Sequence, residues 1–341
     1  MRKTCTTVGI IANPLSGRDI RRLVSRASVF STAEKANMVQ RMLGAMGALG
    51  VDRVLMMPDI AGICAAVERA GHDPVWPRLE ILDMEVEESS RDTVEAVTRM
   101  VAQGVGAIVV LGGDGTHRAV ATRCGDVPLA TLSSGTNNVF PDLREATVTG
   151  LAAGLVALGR VPVEAAVRRQ KVLRIASNLP DRRGEIALVD ACTSTLRFLG
   201  ARALWQPDTL SELVVAFAEP DAIGLSSVAG LLHPVSREEP HGLYLRLAAP
   251  RSPTAAMTVA APIAPGVVSE VGVTAIELLV AGRPRWLDTA AGTIAFDGER
   301  EIEFAQNERF SVALDPDGPW TIDVQSTLSW AARNGTLRVG R

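Results

Sequence analysis

Residues Gly106–Val120 read GAIVVLGGDGTHRAV. The first six residues form an unbroken apolar run, the pattern of a strand covered on both faces in a parallel sheet. Three glycines then surround a single carboxylate, Asp114, and residues that suit a helix follow. A strand that empties into a glycine turn and a helix is the repeating joint of an α/β sheet. The glycines remove the Cβ that would keep a ligand oxygen at a distance. Amides freed at a helix start favour anions. The turn is therefore expected to hold a phosphate, with Asp114 managing the metal or proton beside it.

The same joint recurs outward from this stretch. TTVGIIAN (6–13) is a β-rich run ended by Pro14, RVLMM (53–57) a second strand, LEILDME (79–85) a third and PLATL (128–132) a fifth. Between them, Ser31 and Glu34 match a capping box, with Met38, Val39, Met42, Leu43 and Met46 on one helical face. Ser90 can cap the next helix, lined by Val94, Val97 and Val101. Helical periodicity continues through 147–159. The expected fold of this half is a doubly wound parallel sheet. After Val161-Pro162 the pattern becomes short runs at 171–177, 185–191, 213–218, 242–248, 293–299, 300–305, 309–314 and 320–324, punctuated by Pro, Gly and Asp. That spacing predicts a β-rich, mostly antiparallel domain. The expected organisation is an α/β nucleotide-binding domain over 1–160, a β-rich domain over 161–325, and a C-terminal helix within 326–341 that packs back on the first domain.

Composition narrows the class. At 341 residues the chain exceeds one typical core. It carries 35 Lys and Arg against 38 Asp and Glu, so no basic surplus favours nucleic acid or an anionic membrane. Cys5, Cys64, Cys124 and Cys192 are far apart and form no CxxC, which suits a reducing compartment. The N-terminal apolar run breaks at Asn13-Pro14, too short for a signal peptide. No run approaches the 18 or so apolar residues of a membrane span. A cytoplasmic protein is expected. Its four histidines show no zinc-ligand spacing.

In open α/β sheets, ligands settle beyond the carboxyl ends of the strands. Three glycine-bearing loops should meet there: Asn13-Pro-Leu-Ser-Gly-Arg-Asp19, Leu111-Gly-Gly-Asp-Gly-Thr116 and Ser133-Ser-Gly-Thr-Asn-Asn138. Ser16, Thr116, Ser134, Thr136 and Asn137 can donate hydrogen bonds, and Arg18 offers a two-pronged phosphate partner. Asp114 has two chemical roles open to it, a ligand of Mg²⁺ beside the phosphates or an acceptor of the proton from an attacking hydroxyl. A plain helix cap is the structural alternative. His117 is expected in a first helical turn facing solvent. No GxxxxGK[ST] is present, which excludes a Walker-type site, and no GxGxxG opens a helix after a strand.

GGDGT, with NPLSG upstream and SSGTNNVFP downstream, resembles the superfamily of ATP-NAD kinases and diacylglycerol kinases. NPLSGRDIRRL and SSGTNNVFP are similar to its AcoX-like branch in particular, the ATP-NAD kinase-like proteins associated with acetoin catabolism. The resemblance implies ATP as phosphate donor, Mg²⁺, and transfer to a hydroxyl of NAD or a related metabolite. Under it, Asp114 matches the motif acid. Gly112, Gly113, Gly115 and Thr116 match the phosphate-cradling neighbours. Asn13, Ser16 and Gly17 match the first nucleotide loop, and Ser134, Gly135, Thr136, Asn137 and Asn138 belong to the third. Phe296-Asp-Gly-Glu299 resembles the DGE stretch of the lipid kinases, which makes Glu299 a candidate catalytic acid; a hairpin bend at Asp297-Gly298 is its structural alternative. No metal cluster of protein side chains is expected, only Mg²⁺ near Asp114. A homodimer or larger homo-oligomer is expected by resemblance. Two departures keep other functions open. Lipid kinases carry Asn-Asp where this chain has Asn137-Asn138. The Thr/Gly/Ser/Tyr-rich run of NAD kinases meets Asp190-Ala-Cys-Thr-Ser-Thr195 here. The alternatives are a non-catalytic nucleotide- or metabolite-binding regulator and a lipid kinase of the diacylglycerol type.

Overall fold

The computed structural model describes residues 5–16, 28, 30–71, 73–196, 207–298 and 300–338. The apolar runs of the first half become a parallel sheet because both of their faces are covered. β1 (Thr7–Ala12) is buried along its whole length. α1 (Thr32–Leu49) begins where the Ser31 side chain accepts from the Glu34 amide, and it stops at Gly50 with φ 84°. β2 (Arg53–Met56), α2 (Ile63–Arg69) and β3 (Arg78–Ile81) follow. α3 (Ser90–Ala102) is capped by Ser89, one residue earlier than the sequence suggests. The cause is Asp92, whose carboxylate accepts from the Ser89 and Glu87 amides and closes a capping box there. β4 (Ala107–Gly112), α4 (Asp114–Ala121), β5 (Leu129–Ser133) and α5 (Ala146–Ala157) complete the run. The strand order is β3-β2-β1-β4-β5, all parallel. Val8, Ile10 and Val109 face one helical layer, with Met42 and Met46 of α1; Ile11, Ile108 and Val110 face the other, with Val97 and Met100 of α3.

The second half starts with α6 (Val163–Ala166) and β6 (Val167–Arg169), then turns antiparallel. β7 (Val172–Ser177), β8 (Glu185–Ala187), β9 (Asp190–Ser194), β10 (Leu210–Val215), the short α7 (Ser226–Leu232) and β11 (His241–Ala248) come first. β12 (Met257–Ala264) and β13 (Val267–Val280) follow, with β14 (Arg285–Trp286), β15 (Gly292–Phe296), β16 (Arg300–Phe304) and β17 (Phe310–Asp315) behind them. One sheet runs β12-β13-β11-β10-β9-β15-β16 and another β14-β17-β7-β8. Residues 185–191, read as one strand, split into β8 and β9, which belong to different sheets.

β12 and β13 have no counterpart in the sequence reading, although β13 is the longest strand described, at 14 residues. β12 holds Pro262, which argues against a strand by pattern. The fold tolerates it because β12 is an edge strand and its pairing with β13 is irregular between Ala261 and Ala264. The last strand also differs from expectation. β18 (Trp320–Ile322) leaves the antiparallel sheets and joins the first one, parallel to β5 and antiparallel to β6. α8 (Val324–Arg333) follows it, capped by Asp323, and packs on α5 and α6.

The tight packing of the α/β layer gives a direct test. A Cβ added at Gly47 in α1 would lie 1.8 Å from the Val75 carbonyl oxygen, whereas at Gly44 the nearest atom is the Trp76 Nε1 at 3.7 Å. Gly44→Ala is expected to be neutral or to stabilise by up to about 1 kcal/mol through helix propensity. Gly47→Ala must push backbone and is expected to cost about 1–3 kcal/mol. Urea denaturation of the two variants, run side by side, checks the ordering.

Candidate functional site

The three loops converge at the carboxyl ends of β1, β4 and β5, held by hydrogen bonds between them. Asn13 donates through Nδ2 to Thr116 Oγ1 at 2.8 Å, and its Oδ1 accepts from the Leu15 amide. Ser134 Oγ donates to Ser16 Oγ at 2.8 Å, and the Ser134 amide donates to the Gly112 carbonyl at 3.2 Å. Within the third loop, Asn138 Nδ2 donates to Ser133 Oγ at 2.7 Å and to the Gly135 carbonyl. An aspartate could not make those two donations, which accounts physically for asparagine here. Thr136 is exposed and Asn137 half-buried. Gly17, Arg18 and Glu299 lie outside the described residues.

The glycines serve a purpose narrower than the sequence suggests. None of Gly112, Gly113, Gly115 and Gly135 has a left-handed φ. A Cβ on Gly112 would meet the Thr116 side chain at 2.5 Å, so this glycine admits Thr116 against the strand end. Its missing side chain packs the turn from inside.

Asp114 is buried in the first turn of α4, whose N-cap is Gly113 with no side-chain cap. Its carboxylate reaches across to the third loop instead. Oδ1 accepts from the Phe140 amide at 2.8 Å, and both oxygens accept from the Val139 amide at 3.1 Å. The same two residues are gripped from the other side by Arg237. Its guanidinium donates to the Val139 carbonyl at 2.9 Å and the Phe140 carbonyl at 3.0 Å, pairs with Glu219, and lies 4.2 Å from the Phe217 ring centre. Phe140 is thereby seated in the core of the antiparallel half.

One turn further along α4, Arg118 makes a second bridge. It donates to the Phe296 carbonyl at 2.9 Å and lies 3.5 Å from Asp297 Oδ2. Asp297 is in the bend between β15 and β16, with φ 50° followed by Gly298 at φ 65°. The hairpin alternative is thus the geometry observed, and the bend also delivers a buried acid. The Asp297 carboxylate accepts from the amides of Leu188, Val189 and Asp190 at 2.9, 2.8 and 3.3 Å. Burial pushes its pKa up, opposed by Arg118 and those amides. Asp114, Asp190 and Asp297 line one cavity of about 40 Å³ together with Asn137. Among the described residues, no group of three or more His, Cys, Asp and Glu side chains is placed to hold a metal ion, and no helix is long and apolar enough to cross a membrane.

Two further side chains complete the site. His117 is fully buried, contrary to the solvent-facing expectation. Its Nδ1 is 2.8 Å from the Gly113 carbonyl, and its ring is 5.8 Å from that of Phe140. Burial pushes its pKa down to about 4. Lys35, which the sequence reading passed over, is 1% exposed. Its ammonium donates to the carbonyls of Asn13, Pro14 and Ser16 at 2.9, 3.2 and 2.9 Å and to Ser16 Oγ at 2.9 Å. The signal was present: Lys35 falls at the i−3 and i−4 positions of Met38 and Val39, on the apolar stripe of α1 where a cation is costly unless caged.

Comparison with known proteins finds two family models along the chain. Residues 8–161 match the family model of the ATP-NAD kinase N-terminal domain, and residues 171–317 match that of the acetoin catabolism protein X C-terminal domain. Acetoin catabolism protein X of Cupriavidus necator is 46% identical over 340 residues, which span 97% of this chain and 94% of that protein. Among solved structures, a diacylglycerol kinase of Bacillus anthracis str. Sterne aligns over 94% of this chain and 98% of its own, at 13% identity and a TM-score of 0.43. Another chain of that organism aligns over the same shares at 14% identity and a TM-score of 0.46.

Two outcomes test this geometry. Lys35→Met strands the carbonyls of the first loop and is expected to destabilise by at least about 2 kcal/mol in chemical denaturation. Lys35→Arg should not restore it, since the planar fork cannot fill a compact cage. For His117, the folded pKa of about 4 is below the ordinary value of 6.5, so its contribution is intact above pH 6.5 and is lost as pH falls toward 4. Stability should fall by up to about 1.4 kcal/mol per unit across that window. The fall should be shallower in His117→Leu, measured by urea titration at stepped pH.

Proposed function

This chain belongs to the acetoin catabolism protein X family, and from that premise we propose that it is a phosphotransferase that moves the terminal phosphoryl group of a nucleoside triphosphate, ATP, onto a hydroxyl of a small metabolite. The observation that carries the reading is the joined rim. Three strand-end loops are hydrogen-bonded to one another, and two buried acids from different halves of the chain, Asp114 and Asp297, face one cavity beside it.

The chemistry divides among these groups. The loops of Asn13–Ser16, Gly112–Thr116 and Ser133–Asn138 supply amide and hydroxyl donors for the triphosphate. The acceptor oxygen forms the new O–P bond, the P–O bond to the nucleoside diphosphate breaks, and the hydroxyl proton passes to a carboxylate. Asp297 suits that role because burial raises its proton affinity toward the working pH. Among the described residues, no cluster of side chains is placed to hold a cation by itself. Mg²⁺ brought in with the triphosphate would neutralise phosphate charge there, and Asp114 on the rim is the residue that would hold it.

A second reading has its own support. Both Asp114 oxygens are already engaged by backbone amides, which suits a non-catalytic nucleotide sensor on the same scaffold. Turnover separates the two. With ATP, Mg²⁺ and a broad alcohol panel that includes NAD, transfer is expected in the wild type and should fall at least about 100-fold in Asp297→Asn. ATP at a hundred times its dissociation constant should still stabilise that variant by about 2.7 kcal/mol. Full activity in both Asp114→Asn and Asp297→Asn, or stabilisation by ATP with no transfer to any acceptor, contradicts the phosphotransferase reading.

A further inference from the structure

Arg237 grips the Val139 and Phe140 carbonyls from the loop between α7 and β11, while Asp114 accepts from the amides of the same two residues. A long arginine side chain has many rotamers, so the place its guanidinium reaches is set by the backbone it starts from. Upstream, that loop is tied by the bridge between Val235 and Ala218. Around Arg237 itself it is held by a lysine from another element. Lys171 is 5% exposed, and its ammonium donates to the carbonyls of Ser236, Glu239 and His241 at 3.0, 2.7 and 2.8 Å. An ammonium has three N–H donors, and all three are engaged. One of the carbonyls belongs to the residue before Arg237 and two to residues after it. A buried cation is costly unless it is met by such dipoles, and the bonds it then makes are charge-assisted and strong.

Lys171 has a firm base of its own. It lies in the crossing from β6 of the first sheet to β7 of the antiparallel half. Its neighbour Gln170 donates from its amide to the Pro319 carbonyl at 3.0 Å and accepts from the Gly318 amide at 3.0 Å. The Gln170 Nε2 donates to Thr321 Oγ1 at 2.8 Å. We propose that Lys171 is a positioning residue for the third glycine loop. It acts through Arg237: the ammonium shapes the 236–241 loop, the loop places the guanidinium, and the guanidinium sets the Val139–Phe140 peptides against Asp114. Its bearing on nucleotide affinity rests on the phosphotransferase reading, whereas its bearing on the shape of the loop does not.

The experiment uses the full chain as wild type, Lys171→Met, Arg237→Met and the double variant. It reads amide exchange at Val139 and Phe140, the dissociation constant of ATP with Mg²⁺ by calorimetry, and stability in urea. Lys171→Met should speed exchange of the two amides at least about 10-fold and weaken ATP binding at least about 5-fold. In the Arg237→Met background the same change should alter both by less than about twofold, because the link is already broken. Val273→Ala, a truncation in the core shared with α7, also loses stability. It should leave exchange at 139–140 and ATP affinity within about twofold of wild type, which separates positioning from general destabilisation. If Lys171→Met does not fold, Glu239→Ala tests the same path. It removes the carboxylate that accepts from the Ser236 amide at 2.5 Å, keeps the ammonium cage, and should speed exchange at 139–140 at least about 3-fold. Unchanged exchange there overturns the inference. Equal effects of Lys171→Met with and without Arg237, or lost stability with unchanged exchange and ATP affinity, also overturn it and leave the phosphotransferase reading intact. Absence of ATP binding in the wild type overturns that reading instead, and the exchange data alone then decide for or against Lys171.

Discussion

The structure depends on how one dipeptide is held. Val139 and Phe140 follow the third glycine loop. Their amides are taken by the Asp114 carboxylate and their carbonyls by the Arg237 guanidinium. A carboxylate and a guanidinium on opposite edges of the same two peptides form charge-assisted hydrogen bonds, which are shorter and stronger than neutral ones. The arrangement places Phe140 in the antiparallel core and keeps the glycine turn at the edge of the parallel sheet. The motif acid is therefore a structural tie as well as a chemical group.

α4 extends that principle. Asp114 and Arg118, one turn apart, point toward the same boundary. Arg118 reaches the β15–β16 bend, whose Asp297 in turn gathers three amides of residues 188–190. Among the described residues, Asp114 and Asp297 each accept from backbone amides, and the Arg118 guanidinium lies beside Asp297. Such compensation lets these two carboxylates stay buried at the boundary. A triphosphate proposed for this rim would lie beside those carboxylates, and a cation bound with it would offset their charge. Lys35 contributes from below. Its charge is delivered through carbonyls of the first loop, so it fixes loop shape and adds positive potential beneath the rim at once.

The parallel sheet was legible in the sequence because burial on both faces forces continuous apolar runs, and β1, β4 and β5 show them undisturbed. The glycine turns were legible because each interrupts such a run at its carboxyl end. What the sequence obscured follows from context beyond a local window. Pro262 masks an edge strand whose lost donor costs little there. Trp320–Ile322 has strand character, but its neighbours are decided by where the chain returns, and nothing local marks that. His117 next to a polar motif resembles a solvent position until Phe140 is placed over it. In the Phe296–Glu299 stretch the motif drew attention to Glu299, which lies outside the described residues, and local pattern gave no sign that the bend also buries Asp297, in a left-handed conformation. Arg237 and Glu219 become partners of the site only through tertiary folding.

The central claim is that these joined loops are where a nucleotide binds, with Asp114 at their centre. Amide hydrogen exchange, measured on the full chain with and without Mg²⁺ and ATP, tests it most directly. The account predicts that nucleotide slows exchange in the segments 13–16, 112–116 and 133–140, with the remainder of the first sheet little changed. Protection confined to other segments, or none at saturating nucleotide, would contradict it.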